Sequence, residues 1–211
     1  MTTPRRALVV LDVQQEYFFG PLRIQHPVPE DSLPQILHAI DVARAHHLPV
    51  VVVRHENPAG SAVFASGSEG AELHPEVAGR GDATWHRITK RFASAFDDTD
   101  LAVWCSQHRL STLTIVGHMA NNCVLATAAS AAPRGLAVEV LSDAIGTVHL
   151  SNEAGSVAAQ QLHHDLMVLL QSNLAAVTTV EEWAHAVATG VTSPKSNLVA
   201  SAGRWAPSGT S

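Results

Sequence analysis

Two cysteines, Cys105 and Cys123, in a chain of 211 residues are too few for a disulfide framework. They suit a reducing compartment, and the chain reads as cytoplasmic with both thiols free. Cations are also scarce. Thirteen Lys and Arg against 19 Asp and Glu give a net charge of −6, so no basic stripe is available to neutralise a phosphate backbone, and nucleic acid is excluded as the expected partner. No apolar run approaches the roughly 20 residues of a membrane span, so no membrane partner is expected. The opening "MTTPRRALVVLDVQQ" lacks the apolar core and cleavage site of a signal peptide, because Asp12 interrupts its short apolar run. What is present is a hydrophobic fraction of 46%, enough to fill one substantial core.

The hydrophobic pattern alternates between strand and helix signals. "ALVVLDV" (7–13) is short, continuously apolar and β-branched, as expected of a central strand in a parallel sheet with both faces covered. A helix is predicted over "DSLPQILHAIDVARAHH" (31–47), with Ile36, Leu37 and Ile40 at three- and four-residue spacing and Asp31 or Ser32 as its cap. "PVVVVRH" (49–55) is the next buried strand. A segment rich in Gly, Ser, Pro and Ala follows over 56–83. Loops of this length inside a compact domain tend to be functional, and this one reads as a wall or lid. Strands are then predicted at 84–90, 111–117, 137–144 and 175–180, and helices at 99–109, 121–135, 151–171 and 180–188. Six strands alternating with helices predict a single three-layer α/β/α sandwich over residues 1–189, with ligands bound outside the carboxyl ends of the strands. Residues 190–211 lose the pattern and read as a tail, loosely ordered or packed on a neighbour.

Three chemically different groups fall at those carboxyl ends. Asp12 closes the first strand, Lys90 closes the third, and Cys123 opens the helix after the fourth. A cysteine placed there sees the positive end of a helix dipole, which lowers a thiol pKa. A carboxylate raised by partial burial can accept the thiol proton and later pass it to a leaving amine, while a lysine ammonium between them stabilises the thiolate. Taken singly, each has an ordinary alternative: a turn aspartate, a solvated lysine, a core cysteine. A reactive Cys123 would alkylate rapidly, whereas a core thiol would not.

The residues around these three resemble the isochorismatase-like cysteine hydrolase superfamily, which includes nicotinamidases, carbamoylsarcosine and ureido-group amidohydrolases, and streptothricin hydrolase. The resemblance runs over most of residues 6–180 and rests on "LVVLDVQQEYF", "RHENPAGSAVFASGSEGAELHPEV", "KRFASAF" followed by "TDL", and "VGHMANNCVLATA". The glycine-serine loop is most similar to the streptothricin-hydrolase side. The resemblance implies a Rossmann-like six-stranded parallel sheet and a catalytic set of Asp12, Lys90 and Cys123. It also implies a cis peptide between His118 and Met119, and an oxyanion hole formed by the N–H groups of Met119 and Cys123. One such donor is worth about 2.7–4 kcal/mol in a transition state. The implied reaction is hydrolysis of a small amide, cyclic amide or ureido compound through a thioester, by a dimer or larger homo-oligomer. Vinyl-ether hydrolysis without cysteine is the nearest alternative, and a non-catalytic binding protein that keeps the fold is another.

Gln14, Tyr17, Phe18, His55, His118 and Asn122 are the expected substrate-binding residues. Tyr17 and Phe18 follow Asp12 closely, and His55 and His118 end predicted strands. His46, His47, His163 and His164 read as helix-surface residues. Nicotinamidases hold a metal through an Asp-x-His arrangement after the second strand, but here that place reads "VVRHENPAG". No metal and no cofactor are therefore expected. Zinc is expected to inhibit instead, since Cys123 lies five residues from His118.

Overall fold

The structure, a computed structural model, describes residues 3–204, so positions 205–211 of the expected tail lie outside the described residues. The chain runs β1 (Arg6–Leu11), α1 (Glu16–Phe19), α2 (Pro29–Ala45), β2 (Val50–His55), α3 (Pro75–Arg80), β3 (His86–Lys90), α4 (Leu101–Gln107) and β4 (Thr112–His118). One wide π turn over Ala120–Val124 leads into α5 (Leu125–Ala131). Then come β5 (Ala137–Gly146), β6 (Leu150–Asn152), β7 (Gly155–Val157), α6 (Ala159–Leu169), β8 (Ala176–Thr178), α7 (Val180–Thr189) and α8 (Leu198–Gly203).

Six of these strands form one parallel sheet in the order β3-β2-β1-β4-β5-β8, as the alternation of strands and helices predicts. Successive residues of β1 enter opposite layers. Val9 and Leu11 pack with Leu101, Trp104, Ala128 and Leu166, whereas Leu8 and Val10 pack with Ile36, Ile40, Val77 and Trp183. Helices α4, α5 and α6 thus cover one face and α2, α3 and α7 the other, which is why the central strands have no polar side. From β1 the chain moves outward through β2 to β3, then returns to the other flank of β1 with β4. The carboxyl ends of β1 and β4 therefore adjoin at the topological switch point. The two strands lie close there: Gly117 has φ +119, and a side chain on it would run into the carbonyl of its register partner Leu11.

Several local readings change. Helix α2 begins at Pro29 with Val28 at its N-cap, so Asp31 and Ser32 lie in its first turn instead of capping it, and His163 is buried with its Nε2 3.0 Å from Ser142 O. The predicted helix over 151–171 begins only at Ala159, because residues 150–157 form the antiparallel hairpin of β6 and β7. Its turn is set by Ala154 N–H donating to Asn152 Oδ1 at 2.9 Å and by Gly155 at φ +138. The 56–83 segment contains α3, whose single buried apolar residue, Val77, leaves almost no periodic signal. Beyond α7 the chain is pinned to its own domain. Ser193 Oγ donates to Glu139 at 2.9 Å, Lys195 Nζ donates to Asn173 O at 2.9 Å, and α8 is capped by Asn197 Oδ1.

Candidate active site

Asp12 follows β1 directly and takes a left-handed backbone, φ 51, a conformation that aspartate tolerates better than most residues. Its N–H donates to Val53 O at 3.0 Å, which fixes it against β2. Lys90 ends β3 and is the register partner of His55 at the end of β2, so strand pairing alone sets these two side by side. Cys123 rides on the π turn, where Val124 N–H reaches back to Met119 O. Three separate chain segments thus meet at the switch point.

The Lys90 ammonium is the centre of the cluster. It lies 2.7 Å from Asp12 Oδ2, and it donates to Cys123 Sγ at 3.1 Å, to His55 Nδ1 at 3.2 Å and to Phe92 O at 3.2 Å. Asp12, Lys90 and Cys123 are only 0%, 1% and 2% exposed. The Asp12 pair is a contact of charges, since neither carboxylate oxygen receives a well-aligned hydrogen bond among the described residues. Burial pushes the Asp12 carboxyl above its ordinary range, with the Lys90 charge opposing. Burial works against the Lys90 ammonium too, but the charges of Asp12 and Cys123 outweigh it and hold its pKa above the usual value.

The Cys123 thiol departs from expectation. Burial, then the Asp12 charge, push it up to about 12, and Lys90 only partly opposes this. Cys123 therefore rests as a thiol rather than as a thiolate stabilised by a helix end. A proton acceptor of raised pKa beside it, Asp12, is what makes it a usable nucleophile. Covered and protonated, it would alkylate slowly until the site opens, so rapid alkylation is not the mark of this nucleophile.

His55 belongs to the cluster. Its Nδ1 accepts from the ammonium, so Nε2 carries the proton and donates to Asn57 Oδ1 at 3.1 Å. Burial and Lys90 both lower its pKa, keeping the ring neutral. Tyr17 and His118 stand at 5.2 Å between ring centroids, Tyr17 and Phe64 at 5.2 Å, and Phe18 and His118 at 5.9 Å, forming an aromatic wall. His118 is fully inside that wall. Both its ring nitrogens lack partners among the described residues, and burial lowers its pKa to about 3. The peptide bond between His118 and Met119 is cis, and among the described residues the Met119 N–H donates to no protein group.

Two expected substrate contacts sit elsewhere. Gln14 donates both amide hydrogens, to His55 O at 2.8 Å and Ala71 O at 2.7 Å, and accepts from His55 N–H at 2.8 Å. It laces β2 to the loop and has no donor left for a ligand. Asn122 points to solvent, while its neighbour Asn121 keeps a buried, unpartnered Oδ1. Asn57 and Phe64 went unseen in the sequence. Phe64 is buried at φ 51, and its carbonyl accepts from Asn57 N–H at 2.9 Å; an aromatic residue among glycines and serines was the available signal. As metal ligands, Asp12, His55 and Cys123 each offer one atom, all within 4.8 Å of one another, with the Lys90 ammonium in contact with all three residues.

Known proteins share this arrangement of fold and sequence. The model of the isochorismatase domain matches residues 6–182. A secreted isochorismatase effector of Verticillium dahliae is 36% identical over 146 residues, which is 69% of this chain and 74% of that protein. The structure of an isochorismatase homologue from Burkholderia xenovorans superposes with a TM-score of 0.93 at 46% identity, covering 96% of this chain and 97% of that one. N-carbamoylsarcosine amidase of Thermoplasma acidophilum shares the fold, with a TM-score of 0.69 at 23% identity over 84% of this chain and 97% of its own. The chain belongs to the isochorismatase family of hydrolases.

Proposed function

We propose that the protein hydrolyses a C–N bond of a small amide, cyclic amide or ureido compound through a thioester on Cys123. The observation that carries this reading is one ammonium, Lys90, touching both the carboxylate and the sulfur in a site closed to water. As the sulfur attacks the carbonyl carbon, its proton passes to Asp12, whose Oδ1 has no other partner among the described residues. The resulting oxyanion is received by the N–H groups of Met119 and Cys123. Asp12 then returns the proton to the leaving nitrogen, and the C–N bond breaks. In the second half Asp12 takes a proton from water, the hydroxyl adds to the thioester, and the acid leaves as Cys123 recovers its proton. Lys90 opposes the upward push of burial on Asp12 and so favours the carboxylate that takes the proton.

The fungal relative is an isochorismatase by name, but a sulfur that accepts from the ammonium, with the Asp12 carboxylate within 4.8 Å of it, favours the covalent route here. Assembly as a homo-oligomer is supported by exposed apolar side chains on α6 and α8, among them Val168, Leu198 and Val199. A cytoplasmic location is supported by two free cysteines. No helix among the described residues is long and apolar enough to cross a membrane. The test of the reaction is a screen of primary amides, ureido acids and cyclic amides for ammonia or acid release. Turnover of at least one class that depends on Cys123 supports the reading, and cysteine-independent cleavage of a vinyl ether alone would replace it.

A further inference from the structure

We propose that Asp12, His55 and Cys123 form a latent site for a thiophilic divalent cation such as zinc, a site that the Lys90 ammonium fills in the resting protein. The three residues offer one oxygen, one imidazole nitrogen and one sulfur, all within 4.8 Å of one another. Three mixed ligands with a fourth position open is the donor set of many catalytic zinc sites. The ammonium already sits where such an ion would, 2.7 Å from Asp12, 3.2 Å from His55 Nδ1 and 3.1 Å from Cys123. Zinc–ligand bonds are about 2.0–2.3 Å, so each donor has to close in by on the order of 1 Å. The site binds a monovalent cation of its own in place of a metal.

His55 is prepared for ligation in a way that no other imidazole here is. Its Nδ1 lone pair already faces a cation, and its Nε2–H is held by Asn57 Oδ1, itself fixed by Asn57 Nδ2 donating to Val63 O at 3.0 Å. A hydrogen-bonded far nitrogen of this kind fixes the tautomer and aim of a metal-bound histidine. His118, the imidazole that sequence spacing singles out, is not in the cluster and is packed between Tyr17 and Phe18. Charge balances across the exchange. In the resting state one ammonium faces one carboxylate and a neutral thiol; with zinc bound, two positive charges face a carboxylate and a thiolate. The Cys123 proton leaves to solvent, the sulfur–metal bond forms, and the Lys90 side chain swings out as an ammonium. Metal uptake therefore masks the sulfur reversibly, whatever bond the enzyme cleaves.

Cobalt(II) is the probe, added to the full-length, chelator-treated protein, because a thiolate bound to cobalt gives a charge-transfer absorption in the near ultraviolet. The band should appear in the wild type and in Cys105→Ser, and be missing from Cys123→Ser. His55→Ala should weaken binding tenfold or more. Lys90→Met, which removes the internal competitor, should strengthen it by at least as much. With one proton released per ion, wild-type affinity should rise about tenfold per pH unit between pH 6 and 8. Zinc should displace cobalt and abolish the band. No band in the wild type at millimolar cobalt, a band that survives Cys123→Ser, or affinity independent of pH would each overturn the proposal. So would equal affinity in folded Lys90→Met and wild type. If Lys90→Met does not fold, the cysteine variants and the pH slope decide.

Discussion

His55 and Lys90 are register partners at the ends of β2 and β3, and the pairing places an imidazole nitrogen 3.2 Å from the ammonium that also touches Asp12 and Cys123. The site is thus built into the strand register, and consequences for each member follow from what it touches.

Cys123→Ala should abolish turnover while leaving the far-ultraviolet circular dichroism and thermal midpoint near those of the wild type. Cys123→Ser should lose several orders of magnitude, because an alkoxide is harder to form beside Asp12 than a thiolate. Cys105 lies on α4 within the apolar layer, where burial pushes its thiol up to about 11. Cys105→Ala should retain turnover within about twofold, the usual reach of a change distant from the chemistry.

The pH profile reports on Asp12. It acts as a base only when ionised, and burial has raised its pKa, so kcat/KM should fall on the acid side with a midpoint above the ordinary carboxylate value of about 3.9. Asp12→Asn should remove turnover and the limb together. Lys90→Ala withdraws the cation that favours the carboxylate, so the acid limb should move to higher pH in whatever activity remains. An unmoved limb in Lys90→Ala would contradict the pairing.

At the opposite end of the sheet, Glu139 accepts from Arg6 Nη2 at 2.8 Å, Thr114 Oγ1 at 2.8 Å, Trp183 Nε1 at 3.1 Å and Ser193 Oγ at 2.9 Å. Burial works against its charge, but Arg6 and the hydroxyl donors outweigh it and hold the pKa below the usual glutamate value. A depressed folded pKa stabilises the protein above the unfolded pKa of about 4.3, and that stability is lost as pH falls through the folded value. Glu139→Gln leaves Arg6 buried without its partner and should cost about 3–5 kcal/mol in urea denaturation at pH 7. The difference from wild type should shrink below pH 4.

Chelation tests the chemistry from another side. Nucleophile, proton carrier and oxyanion donors are all protein groups in the proposed reaction, so a Lewis acid is redundant. Hydrolysis of an accepted amide should keep its rate after exhaustive dialysis against a chelator. Loss of turnover that added metal restores would move the chemistry onto a metal ion.

The fold and the three central residues were legible because continuous apolar runs mark strands covered on both faces, and such strands in a parallel sheet gather their carboxyl ends at one rim. Asp12 follows such a run directly, Lys90 ends the alternating edge strand β3, Cys123 lies on the turn after β4, and the three meet. Register was not legible. Nothing in the continuously apolar "PVVVVRH" says which of its residues meets Lys90, since a slip along that strand leaves it equally apolar. The π turn shifts helical phase, so Asn122 faces solvent and Asn121 faces inward, against a reading that assumes regular helix from the start. The raised thiol pKa was not legible for a related reason. Sequence shows a helix beginning at Cys123, but not that the site is closed, and burial outweighs both the helix end and Lys90. The 150–157 hairpin was hidden because short, exposed, polar strands carry no apolar alternation.

The covalent claim is tested most directly by acid-quenching the enzyme during turnover of an accepted amide or its activated ester and measuring intact mass. The expected result is an increment equal to the acyl group, located on Cys123 and released by hydroxylamine. In Asp12→Asn, where nothing takes the Cys123 proton, the adduct should fail to form even with the activated ester, which needs no proton on its leaving group. Turnover with no adduct on Cys123 at any quench time, together with retained activity in Cys123→Ala, would contradict it.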